Sequence, residues 1–318
     1  MSTETDVVFD IAAAYPDMVP LRAALVARDW PGCRAVLDAA GPMERTGLLR
    51  LLGEEPGIEG FLRGVLSEDP TDGSASALLG LHLIHIGWEI RTGARAQYVS
   101  REQFRRFREW LCRAEQVLID GAAFNPADPA IWTARLLSAR GLGVGLAETR
   151  RRYDRMIAAD ADHLPGQIQL LQSLCPKWVG TWELLHEFAR EAVAAAPPGG
   201  AHGVLVVDAH LEHGLEEIGP EQSVAHGLIV YLSQEAVRAE IYQAAQRSIG
   251  HPDFARGQGW IRALSGFAFC FTLLGDHRAA AAAFRQLNGL GTEYPWEWLG
   301  DPETEFRKAR DWALGGAK

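Results

Sequence analysis

Three prolines set the rhythm of this chain. Pro129, Pro165 and Pro198 stand 36 and 33 residues apart, each inside a break signal: Asn125 to Pro129, Asp160 to Pro165, and Ala196 to Gly200. Between the breaks, apolar residues recur at helical spacing. Ile131, Leu136 and Leu137 are followed by Tyr153 and Met156, then Ile168, Leu171 and Leu174, then Trp182, Leu185 and Phe188. A period of about 34 residues is that of a helix–turn–helix unit stacked on its neighbour. One such unit cannot bury its apolar side alone, so units of this kind stack into an array. The pattern predicts an all-α fold, a right-handed α-solenoid of six or seven helix pairs.

The rest of the chain continues the pattern. Val19 to Arg28 and the stripe Cys33, Val36 and Leu37 flank the turn Asp29-Trp30-Pro31, and Met43 to Leu52 pairs with Ile58 to Leu66. The polar run Ser67 to Ser74 is the clearest linker. It places N-terminal helical pairs at residues 1–73 and a helical-repeat domain at 74–318. Leu228 to Leu232 is a short β-branched run still expected to be helical. Tyr294, Pro295, Trp296 and Trp298 predict a capping turn before a final helix.

Composition excludes some functions. The formal net charge is −10, and a general nucleic-acid binder needs a basic surface. Met1 to Asp6 carries no basic segment and leads into no apolar one, so no secretory signal is expected. The longest apolar runs, Leu78 to Trp88 and Leu264 to Gly275, fall short of the roughly 18 residues that span a bilayer. The expectation is a cytoplasmic protein that binds neither nucleic acid nor membrane. Cys33, Cys112, Cys175 and Cys270 lack paired spacing and are expected as buried, reduced thiols.

Ala268, Phe271, Gly275, Ala280 and Phe284 have the offsets of a tetratricopeptide repeat, in which small residues let paired helices approach closely. With the three spaced breaks, the chain resembles degenerate tetratricopeptide repeats. More specifically, it is similar to a family of uncharacterised actinobacterial proteins with a domain of unknown function. The similarity rests on Cys175-Pro176-Lys177-Trp178 with Gly180, on Phe188 to Ala192, on Ala196 to Gly199, and on His210, Glu212 and His213. It covers roughly residues 75–310. The resemblance implies a helical-repeat fold and an interaction scaffold, and brings no established site.

Candidate chemistry falls into three groups. His82 and His85 share a helix face with Glu89, and His210 and His213 repeat that spacing with Glu217. Glu183 and His186 have the Glu-x-x-His spacing of carboxylate-bridged metal bundles. If the three helices converge, these residues can hold a metal. If they do not, the histidines pack or face solvent. Second, Lys177 and Trp178 in a loop can meet an anionic ligand, or Trp178 can anchor the turn. Third, residues 91–113 hold seven arginines (91, 95, 101, 105, 106, 108 and 113) against two acids, while 206–240 hold seven acids against one arginine. Arg101, Arg105 and Arg108 can line one face and grip a carboxylate, or simply face water. The glycines at 141, 143 and 145 lack the strand and Lys-Ser/Thr of a phosphate loop and fit an inter-helix turn.

Two function classes remain, with the interaction role ahead of an enzymatic one. The first is a protein-interaction module presenting a helical-repeat groove to a protein or peptide, with Arg101, Arg105, Arg108, Lys177 and Trp178 as contacts and no cofactor. The second is a helical-array enzyme or small-molecule or metal binder built on His82, His85, Glu183, His186, His210 and His213. Complementary charged faces also allow a homo-oligomer.

Overall fold

The breaks open helices as their chemistry demands. In the computed structural model, which describes residues 7–94, 96–219 and 221–315, the described residues form seventeen α-helices and no strand. They are α1 (Ile11–Ala14), α2 (Met18–Val26), α3 (Trp30–Ala39), α4 (Pro42–Leu52), α5 (Glu59–Glu68), α6 (Gly73–Arg91), α7 (Arg101–Phe124), α8 (Pro129–Leu142) and α9 (Leu146–Ile157). There follow α10 (Leu164–Leu174), α11 (Trp182–Ala195), α12 (Val204–Glu216), α13 (Val224–Leu232), α14 (Glu235–Arg247), α15 (Trp260–Leu273), α16 (His277–Leu287) and α17 (Pro302–Gly315). Proline occupies the first turn of α3, α4, α8 and α10, where a missing N–H costs no hydrogen bond. Aspartate caps recur: Asp29, Asp72, Asp128 and Asp276 each accept a backbone N–H in the first turn that follows. Gly143, left-handed, ends α8, and Gly145, also at positive φ, precedes α9, so the glycine-rich run is an inter-helix turn.

The chain divides into a middle unit, Asp17–Thr181, and a split unit, Met1–Pro16 with Trp182–Lys318. The polar run expected as a boundary at residue 73 lies within the middle unit and joins α5 to α6, which pack together. Asp72 accounts for this. It is buried, caps Ala75, accepts the Trp30 indole N–H at 2.7 Å and pairs with Arg34 at 2.8 Å. Its composition reads as a linker, while its hydrogen bonds tie it to α3.

In the middle unit α4 packs against α6, α8 and α10. The most extensive contact joins α6 to α7. A Cβ on Gly80 would stand 2.4 Å from Leu118, so only glycine allows this approach. Leu79, Leu83, Leu111, Leu118, Ile131 and Leu171 are fully buried there, each stabilising by about 1.5–3 kcal/mol relative to exposure. One charged network lies inside. Glu115 pairs with Arg135 at 3.2 Å and Arg152 at 2.8 Å, and accepts the Ser138 hydroxyl.

In the split unit α12 is the central helix, touching α11, α13, α14 and α15. The pair α15–α16 turns at Gly275 (φ +71°), and Ala268, Phe271, Ala280 and Phe284 are buried along it. The expected cap is present: Trp296 is buried among Phe269, Phe284 and Phe306, at 5.1, 5.9 and 5.6 Å between ring centres. Residues 7–16 close this unit. Val8 N–H donates to Gly289 O and Gly291 N–H to Val8 O, both at 2.9 Å, and the Trp260 indole donates to Ala14 O. All four cysteines are free, but Cys112 is exposed, because it falls on the outward side of α7. None of the described helices is long and apolar enough to cross a membrane.

Candidate metal centre

Four helices of the split unit bring a donor cluster together. His186 comes from α11, His210 and His213 from α12, Tyr231 from α13 and Glu240 from α14. The α12 histidines are three positions apart, slightly less than one helical turn, so both rings project from one side. An imidazole nitrogen of His186, one of His210 and a carboxylate oxygen of Glu240 lie within 4.8 Å of one another. His210 is the buried centre. Its Nε2 is 3.1 Å from Glu240 Oε2 and its Nδ1 3.1 Å from the Tyr231 hydroxyl. His186 Nε2 is 2.9 Å from His213 Nδ1. His213 stacks flat on Trp182 at 4.3 Å, and its Nε2 faces Glu217 at 3.4 Å. Arg190 holds the second oxygen of Glu240 at 3.0 Å.

The electrostatics suit cation ligands. Burial, with the neighbouring charges of His210 and His213, pushes His186 down to about 4, so it is a neutral imidazole at neutral pH. His213 is lowered mainly by burial. Glu240 is held down to about 2, first by its hydrogen bond from His210, and is ionised. Neutral imidazole and ionised carboxylate are the forms that bind a metal. Two histidines and a carboxylate are the three protein ligands of open zinc sites, which leave a fourth position for water. A tetrahedral ion places its ligand atoms about 3.4 Å apart, so the widest pair here has to close by about 1.4 Å. The hydrogen bond between His210 Nδ1 and Tyr231 can persist while Nε2 binds an ion, the usual outer support of a ligating histidine.

Three of the six expected metal residues, His186, His210 and His213, meet here. Glu183 is exposed and acts on His213 electrostatically. His82 and His85 lie on α6 of the middle unit. His82 is buried with Nδ1 on Gly53 O at 2.9 Å, and His85 faces Glu89 at 3.5 Å. Of the expected contact residues, Arg101, Arg105 and Arg108 are exposed on α7, and Arg105 is spanned by Glu102 and Glu109. Arg95 lies outside the described residues. Lys177 is exposed, whereas Trp178 meets Trp88 edge-on at 6.0 Å, with the guanidinium carbons of Arg91 and Arg140 at 5.9 and 5.7 Å from its ring. Glu240 and Tyr231 escape sequence reasoning. Neither shares a local spacing with a histidine, and Glu240 reads only as one acid in an acidic stretch.

Comparison with protein-family models, curated proteins and solved structures returns no match.

Proposed function

We propose that this protein binds a first-row divalent metal ion of the zinc type through His186, His210 and Glu240. One observation carries the reading: three donor atoms from three different helices lie within 4.8 Å of one another. Imidazole with carboxylate favours zinc and its neighbours over magnesium or calcium, which prefer all-oxygen shells. The test is cobalt(II) titration of the chelator-treated protein, read by visible absorption, with zinc competition and native mass spectrometry. One equivalent of cobalt, displaced by zinc and lost in the His186→Ala/His210→Ala double variant, supports the site. The His82→Ala/His85→Ala variant should bind as the parent does. No saturable cobalt spectrum at neutral pH would remove the proposal.

The interaction-module reading rests on Arg101 and Arg108, exposed and without an ion pair among the described residues. A solvated arginine face names no partner, whereas the donor cluster names the chemistry of its ligand, so the metal reading stands ahead. We further propose that the helix pairs within each unit are tetratricopeptide-like and wind right-handed. The Ala268, Gly275 and Ala280 offsets across the α15–α16 turn support this.

A further inference from the structure

Arg91 ends α6, and only 8% of it is exposed. Its Nη1 donates to Thr92 O at 2.8 Å and to Ala94 O at 3.0 Å. It makes no ion pair among the described residues, whereas the buried Arg135 and Arg152 share Glu115. Burial pushes the Arg91 pKa down, and no neighbouring acid among the described residues opposes the shift. A charge taken out of water without a counter-ion is costly. The carbonyls at a helix C-terminus offset about half of one charge. The rest is unbalanced.

The surrounding elements hold this guanidinium in place. Thr92 adopts φ +66°, a strained conformation for a β-branched residue, and the turn it makes aims the carbonyls of 92 and 94 at Nη1. The Gln103 side chain donates to Ile90 O at 3.0 Å, which seats the start of α7 on the end of α6 and brings Phe104 beside Arg91. The guanidinium carbon stands 5.4 Å from the ring centre of Trp88 and 5.9 Å from those of Phe104 and Trp178. Aromatic rings attract a guanidinium but bring no negative charge. Nε and Nη2 make no hydrogen bond among the described residues, and both reach the surface. That edge of the group presents two parallel N–H bonds, the fork that a carboxylate fills with its two oxygens.

We propose that Arg91 binds the carboxylate of a small aromatic acid through Nε and Nη2, with the body of the ligand against the rings of Trp88, Phe104 and Trp178. These rings favour an acid carried on a flat apolar body over inorganic phosphate, which gains nothing from ring contact. Trp178, which the sequence offered with Lys177 as a loop able to meet an anion, thereby gains a cation that no local spacing linked to it. The site belongs to the middle unit and does not depend on the metal centre.

Calorimetric titration of the chelator-treated, desalted full chain tests it with four probes: phenylacetate, phenylacetamide, acetate and inorganic phosphate. Phenylacetate should saturate one site. Phenylacetamide keeps the ring and loses the charge, so it should bind about tenfold or more weaker, the worth of a charge-assisted hydrogen bond. Acetate keeps the charge and loses the ring, and should be weaker by about tenfold as well. Arg91→Lys keeps the charge and loses the fork, and should weaken phenylacetate by about tenfold. Arg91 also holds its own turn, so the melting curve of this variant is compared with the parent's. If the variant unfolds, the probe series on the parent decides. Absence of saturable phenylacetate binding overturns the proposal. So does phenylacetamide binding as tightly as phenylacetate, phosphate binding more tightly, or a folded Arg91→Lys protein that binds phenylacetate unchanged.

Discussion

His210 and Glu240 meet 3.1 Å apart although thirty residues separate them in sequence, and the contact ties α12 to α14. The charge on Glu240 is what a cation needs, and Gln preserves its shape. Glu240→Gln is expected to weaken zinc binding by about tenfold or more while costing about 1–3 kcal/mol from the lost charged bond to buried His210. Competition against a chromophoric chelator measures the first effect and urea unfolding the second. Parent-like zinc affinity would remove Glu240 from the ligand set.

Acid should loosen the same cluster in two stages. His186 has a pKa near 4 in the fold against an ordinary 6.5, under burial, His210, His213 and Arg190, with Glu240 opposing. The unfolded chain therefore takes up this proton at higher pH than the native one. Stability from the neutral ring is complete above about 6.5 and declines as pH falls to about 4. Glu240, at about 2 against 4.5, contributes above about 4.5 and loses that contribution as pH falls to about 2. Thermal melts at about pH 7 and about pH 5 should show a larger drop for the parent than for His186→Gln. Equal drops would contradict this assignment.

The charged network of the middle unit should be costly to break from one side. Glu115→Gln leaves Arg135 and Arg152 buried without their shared counter-ion, and burial already lowers the Arg135 pKa. A loss of about 3–5 kcal/mol is expected, measured by urea unfolding. A loss below about 1 kcal/mol would mean that Glu148, which also pairs with Arg152, neutralises the site.

Gly180 should tolerate no side chain. A Cβ there would lie 2.1 Å from Leu174 O and 2.5 Å from Leu174 Cα, both backbone atoms that cannot step aside. Gly180→Ala is expected to cost about 1–3 kcal/mol. Gly64→Ala, inside α5 with open space around it, should instead gain about 0.5–1 kcal/mol. Thermal unfolding of the two variants should move in opposite directions.

What sequence made legible was local. Pro129 and Pro165 mark the first turns of α8 and α10, and Gly275 marks the α15–α16 turn, because backbone geometry is written in residue type. The α13 helix also forms as expected despite its β-branched residues. What stayed hidden depends on helices distant in sequence. That α4 sits against α6, α8 and α10 follows from no spacing, and neither does the approach of Glu240 to His210. Asp72 misleads for a related reason: among Pro, Gly and Ser neighbours it signals a loop, while Trp30 and Arg34 make it a joint. The histidines at 82 and 85 show the limit of spacing alone, since the same interval places one pair in the donor cluster and gives the other separate partners, Gly53 and Glu89.

The seam of residues 7–16 against Gly289 and Gly291 has a consequence for how the protein comes off the ribosome. The middle unit is contiguous and can fold as soon as its own residues emerge. The split unit draws on two stretches, so residues 7–16 must wait until the whole middle unit and the helices after it have been made before Gly289 and Gly291 can receive them.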